Sequence, residues 1–79
     1  MRIRVQFFGP LAEQAGTSQL AVTVGGTTVQ DVIAAVAVAA PAIKIDRSVR
    51  FAVNADYADV SAAVREGDVI SFIPPVGGG

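Results

Sequence analysis

The sequence predicts an α+β domain, a mixed sheet of four to five strands with one main helix packed across one face. Three observations carry this. Short stretches near both ends of the chain alternate apolar and polar residues with a period of two. Between them, a single stretch repeats apolar residues at helical spacing, with a capping residue before it and a proline after it. The chain has 79 residues and no cysteine, so one core must hold the fold without disulfide or thiolate–metal staples. An apolar content of 52% is ample for that.

In chain order, Ile3, Val5 and Phe7 alternate with Arg2, Arg4 and Gln6, which predicts a half-buried first strand. Phe8 breaks the pattern, because alternation places it on the face of the arginines. Gly9-Pro10 ends the strand, since proline has no N–H for the ladder. Residues 11–17 connect to a second strand over residues 19–24, with room for one helical turn before Gly16. Leu20, Val22 and Val24 point inward there, and the two strands are expected to pair as an antiparallel hairpin.

Gly25-Gly26 breaks the second strand, and Thr28 is placed to cap a helix, its hydroxyl accepting from the N–H near Asp31. Asp31 adds negative charge to the first turn. Val29, Val32, Ile33, Val36 and Ala40 form one apolar stripe, and Pro41 ends the helix at or before Ala40. The opposite face, with Ala34, Ala35, Val38 and Ala39, is also apolar, through alanine propensity or as a second contact surface. A third strand follows with Val49, Phe51 and Val53 inward and Arg50, Ala52 and Asn54 outward. Asn54-Ala55-Asp56 reads as a turn, Tyr57 to Val60 as a short edge segment, and Glu66-Gly67-Asp68 as another turn. The last strand runs from Asp68 to Ile73, with Ile70 and Phe72 inward and Val69, Ser71 and Ile73 outward. With the helix as crossover, first and last strands can lie side by side and parallel. This is the β-grasp, or ubiquitin-like, arrangement, over residues 1–73, followed by a flexible tail over 74–79.

Composition excludes several functions. A net charge of −1 and a pI near 5.0 argue against nucleic acid as a partner. No apolar run approaches the ~18 residues of a membrane span, and the N-terminus alternates where a signal peptide would be continuously apolar. A soluble cytoplasmic domain is expected. With no Cys or His there is no thiolate or imidazole chemistry, and an iron–sulfur centre is excluded. No cofactor and no metal are expected on the chain. The candidate for chemistry is the end of the chain, Pro74-Pro75-Val76-Gly77-Gly78-Gly79, and above all the carboxylate of Gly79.

Phe7-Phe8-Gly9, Ala15-Gly16-Thr17, Thr28-Val29, Val53-Asn54, Glu66-Gly67-Asp68 and Phe72-Ile73-Pro74-Pro75-Val76 before a terminal Gly-Gly together resemble the small-subunit family of molybdopterin synthase. These are ubiquitin-like sulfur carriers, and the resemblance runs from residue 2 to residue 79. A third glycine, Gly77, departs from the pattern by loosening the tail. The resemblance implies that an ATP-using, ubiquitin-activating-like enzyme adenylates Gly79, and that a sulfur-donor protein then supplies the sulfur of a thiocarboxylate. It further implies that Pro74, Pro75, Val76, Gly77 and Gly78 insert into the large synthase subunit, where sulfur passes to a cyclic pyranopterin phosphate to build the dithiolene of the molybdenum cofactor. The chain would not be catalytic alone.

These residue types suit that chemistry. An acyl-adenylate splits one hard acyl transfer into two easier steps. Glycine leaves the acyl carbon unhindered and lets the tail thread a narrow channel. Pro74 and Pro75 stop strand pairing and launch the tail, which reaches roughly 20 Å when extended at ~3.3 Å per residue. Phe8, Arg50 and Ile73 are expected near its root as a docking patch, against the alternatives of Phe8 packed under the Leu11 loop and Arg50 as a solvated charge. Other sulfur pathways (thiamine thiazole, cysteine, tungsten-pterin), protein modification through Gly79, and an inert interaction module stay open.

Overall fold

The computed structural model describes residues 1–75. Seven elements follow in order: β1 (Arg2–Phe7), α1 (Pro10–Ala15), β2 (Gln19–Thr23), α2 (Val29–Ala39), β3 (Arg50–Val53), β4 (Asp56–Ala58) and β5 (Val69–Ile73). The strands form one mixed sheet in the order β2-β1-β5-β3-β4. β1 and β2 are an antiparallel hairpin, β1 and β5 are parallel, and β3 runs antiparallel to both β5 and β4. This is the β-grasp expected from the alternation pattern.

Alternation builds the core. Ile3, Val5 and Phe7 of β1, Val22 of β2, Phe51 of β3 and Ile70 and Phe72 of β5 point to the helix side and are buried. Val29, Val32 and Val36 of α2 close over them. Phe72 is at the centre, 0% exposed, and meets Phe7 and Phe51 edge-on at centroid distances of 5.6 and 5.0 Å. Such edge-to-face pairs add about 0.5–1.5 kcal/mol each beyond their burial.

α2 begins where the capping chemistry puts it. The Thr28 hydroxyl accepts from the Asp31 N–H, while the Asp31 carboxylate accepts from the N–H groups of Thr27 and Thr28 and from the Thr28 hydroxyl. This reciprocal box satisfies donors that the first helical turn leaves without partners. Gly26 is required beside it, because a Cβ there would lie 2.0 Å from Asp31 Oδ2.

Two expectations change. Pro10 does more than end β1: it occupies the first turn of α1, where its missing N–H costs nothing, and Gly16 closes that short helix in the left-handed region. Ala52 and Ser71 lie on the sheet face away from α2, as the alternation requires, yet both are buried. Small side chains on the two strands β3 and β5 are shaded by their neighbours, and Ser71 Oγ donates to Gln6 Oε1 at 3.4 Å.

Among the described residues no helix is long and apolar enough to cross a membrane. Nor do those residues contain a group of three His, Cys, Asp or Glu placed to hold a metal.

Candidate functional site

The C-terminal end of β5 is where the expected site residues converge. Parallel pairing sets Phe7 against Phe72, so continuation by one residue brings Phe8 alongside Ile73. On the other side of β5, Arg50 is the direct cross-strand partner of Ile73. Ile73 and Arg50 are thus cross-strand partners on β5 and β3, and Phe8, one residue beyond the paired part of β1, continues their row past the end of that strand. Phe8 is 47% exposed while Leu11 is buried, so Phe8 is not packed under the α1 loop. Arg50 is exposed and Ile73 half-buried.

The chain leaves the sheet beside this row. Pro74 and Pro75 follow Ile73 outside the ladder, as the absence of proline N–H groups requires. Gly9 backs onto them: its φ of 52° and ψ of −131° fall in a region open to glycine, and a Cβ there would meet Pro74 Cγ at 3.6 Å. Val76, Gly77, Gly78 and Gly79 lie outside the described residues.

The face carrying Phe8, Arg50 and Ile73 is basic and partly apolar. Arg2 and Arg4 share it and are exposed, and Val69 is half-buried on it. Tyr57 extends the surface: it pairs with Ala52, belongs to the same face, and is 75% exposed. Reading the sequence missed it, because the facing of a three-residue edge strand follows from its register with β3. An open groove of about 1290 Å³ includes Ile33, Val49, Tyr57, Ile73, Pro74 and Pro75 in its lining.

Other sequence motifs prove architectural. Asn54 adopts φ 58°, donates from its backbone N–H to the Val69 carbonyl at 2.7 Å, and accepts from the Val69 N–H through Oδ1. Its amide also reaches Asp68 Oδ1 at 3.3 Å. Glu66 Oε1 accepts from the Arg2 N–H at 2.8 Å, and the Asp68 carbonyl accepts from the Arg4 N–H. Val53-Asn54 and Glu66-Gly67-Asp68 thus clamp the start of β5 between β1 and β3. That clamp fixes the register of β5 against its neighbours, and Pro74 ends the strand.

Asp31, Asp46 and Asp59 have carboxyls held below the ordinary value of 3.8, chiefly by hydrogen bonds from the side chains of Thr28, Ser48 and Ser61 respectively. All three serve turns or a cap.

The sequence matches the model of the ThiS family over residues 5–79. The chain belongs to the ThiS family. It is a sulfur carrier of that type, on a ubiquitin-like β-grasp. The molybdopterin synthase sulfur carrier subunit of Chlamydomonas reinhardtii is 31% identical over the full length of both chains. SAMP1 of Haloferax volcanii superposes with a TM-score of 0.88 at 29% identity, also with complete coverage of both chains. Subunit 1 or 2 in a complex of the two subunits of the molybdopterin-converting factor from Helicobacter pylori superposes with a TM-score of 0.72 at 25% identity over both full chains.

Proposed function

We propose that this ThiS-family chain is the sulfur-donating small subunit of molybdopterin synthase. The observation that carries the reading is the row Phe8–Ile73–Arg50 at the point where β5 gives way to Pro74-Pro75. The root of the tail is held between β1 and β3, and exposed apolar and cationic groups surround it. The full-length likeness to the Chlamydomonas reinhardtii carrier supports molybdopterin as the pathway.

In this reading Gly79 supplies the reacting carboxylate. Its oxygen attacks the α-phosphorus of ATP on an adenylating enzyme, pyrophosphate departs, and a mixed anhydride forms. A sulfide-level nucleophile from a donor protein then attacks the acyl carbon and AMP leaves, giving the thiocarboxylate. The tail from Pro74 to Gly78 carries it into the large subunit, where the sulfur bonds to a carbon of the pyranopterin phosphate and water then cleaves the C–S bond to Gly79, returning its carboxylate. This chain contributes the arm and the docking row, and the large subunit contributes the acid–base groups. Residues 1–73 act as the rigid domain and 74–79 as the arm.

Intact mass measurement after co-expression with the adenylating enzyme tests this. One oxygen replaced by sulfur at Gly79, together with co-purification of the large subunit, is the expected result. The likeness to SAMP1, a small archaeal modifier protein, favours a second reading, conjugation of Gly79 to lysines of other proteins. Isopeptide adducts with no thiocarboxylate would establish that reading in place of the first.

A further inference from the structure

We propose that two copies of this chain pair through the free edge of β2, joining their sheets across a two-fold axis. β2 is an outer strand of the sheet, and the pattern of its hydrogen bonds identifies which groups are free. The Val24 N–H donates to the Met1 carbonyl at 2.7 Å, the Met1 amino group donates back to Val24, and the Phe7 N–H donates to Ser18. Antiparallel pairs alternate between bonded and non-bonded. In the register Ile3–Val22 and Val5–Leu20, these are therefore the bonded pairs. Gln19, Ala21 and Thr23 aim their backbone groups away from β1. Gln19 is already satisfied, its carbonyl accepting from Thr17 Oγ1 at 2.9 Å and its N–H donating to the same oxygen. Ala21 and Thr23 are left with four groups on the open edge.

Those four groups match a second set related by two-fold symmetry. With Ala21 opposite Thr23 of the second copy, each N–H meets a carbonyl, and Val22 faces Val22 at the axis on the helix side. The surface above that axis is apolar. Val38 of α2 is 83% exposed, and with Ala35 and Ala39 it lines a shallow depression against Ala21, Val22 and Thr23. From Ala34 to Ala39 the helix carries no polar side chain, and β2 (Gln-Leu-Ala-Val-Thr) carries no charge and no proline. Edge strands are ordinarily protected by such residues. β4, at the other edge, is three residues long, contains Asp56 and is followed by Asp59. The uncharged β2 edge lets two identical surfaces meet without like charges opposing. β1 separates it from Ile73, and β1 and β5 together separate it from Arg50, so pairing at this edge leaves both of those residues uncovered.

Sedimentation velocity on the full chain, from micromolar to millimolar concentration, tests the pairing. A reversible dimer should appear, and Val38→Glu or Ala21→Pro should each raise its dissociation constant at least tenfold while the thermal unfolding transition persists. The chain has no cysteine, so an Ala21→Cys/Thr23→Cys double variant gives a clean second measurement. Bonded antiparallel pairs hold Cα atoms about 5.5 Å apart, within disulfide range, and mild oxidation should give an intermolecular disulfide. A monomer at every concentration with no cross-link overturns the proposal. A dimer unaffected by both Val38→Glu and Ala21→Pro also overturns it, because the contact then lies elsewhere.

Discussion

Replacing Ile73 with aspartate separates docking from folding. Ile73 is half-buried at the end of β5, directly across from Arg50. Fully burying an isoleucine is worth about 1.5–3 kcal/mol, and most of that is already realised in the free domain. The variant loses part of this share, but its carboxylate would face the Arg50 guanidinium, and opposite charges paired across strands return about 0.2–1 kcal/mol. The net cost to the fold is therefore about 1–2 kcal/mol, a minor fraction of the roughly 4–12 kcal/mol expected for a domain of this length. Docking loses more. A partner covering this row would bury the part of the side chain still exposed, and in the variant it would meet a carboxylate that must shed water. A loss of about 2 kcal/mol corresponds to roughly 30-fold weaker binding. Calorimetric titration of the large subunit into the variant, beside a thermal melt, reads both quantities. An unchanged dissociation constant would refute Ile73 as a docking residue, and loss of the unfolding transition would show that its side chain belongs to the core.

Phe72→Ala, one residue away, should do the opposite: it removes a fully buried ring with two edge-to-face partners and should cost about 3–5 kcal/mol. Chemical denaturation should find it near the limit of stability, and a loss below 1 kcal/mol would contradict the packing described. Gly9→Ala forces a side chain into a positive-φ conformation beside Pro74 and should cost about 1–3 kcal/mol, measured in the same way. Gly26→Ala displaces the Asp31 carboxylate and should cost about 0.5–2 kcal/mol, the usual worth of a helix cap. Acid should destabilise the fold through Asp31, Asp46 and Asp59. Their folded pKa values lie below 3.8, so the stabilisation is present above that pH and disappears as pH falls through the folded values. Thermal midpoints should thus decline below about pH 3.8, less steeply in Asp31→Asn, and a midpoint that rises on acidification would reverse the assignment.

The clamp on β5 shows how local chemistry and topology divide the work. Asn54 and Glu66-Gly67-Asp68 read in the sequence as turn formers, and they are turns. Their second role, gripping β5 between β1 and β3, depends on contacts 14 or more residues apart, which no local pattern encodes. The burial of Ser71 and Ala52 was hidden for a similar reason: alternation assigns a side chain to a face, whereas shading depends on which strands flank it. Tyr57 was missed because a three-residue strand is too short for its period to be read.

The ends of β1, β2, α2, β3 and β5 follow from the sequence to within about one residue, because each rests on interactions within a few residues. A period-two apolar stripe, a Thr28–Asp31 capping box and a proline without an N–H act on their own segment wherever it lies. The proposed reactive end is read the same way, from Pro-Pro and the glycines after an apolar strand. Tertiary structure alone decided the register that sets Arg50 directly opposite Ile73 in the patch expected at the tail root, and that β2 is left as an open edge. Both depend on strand order, and strand order is set by burying every apolar stripe against α2 at once, a condition on the whole chain.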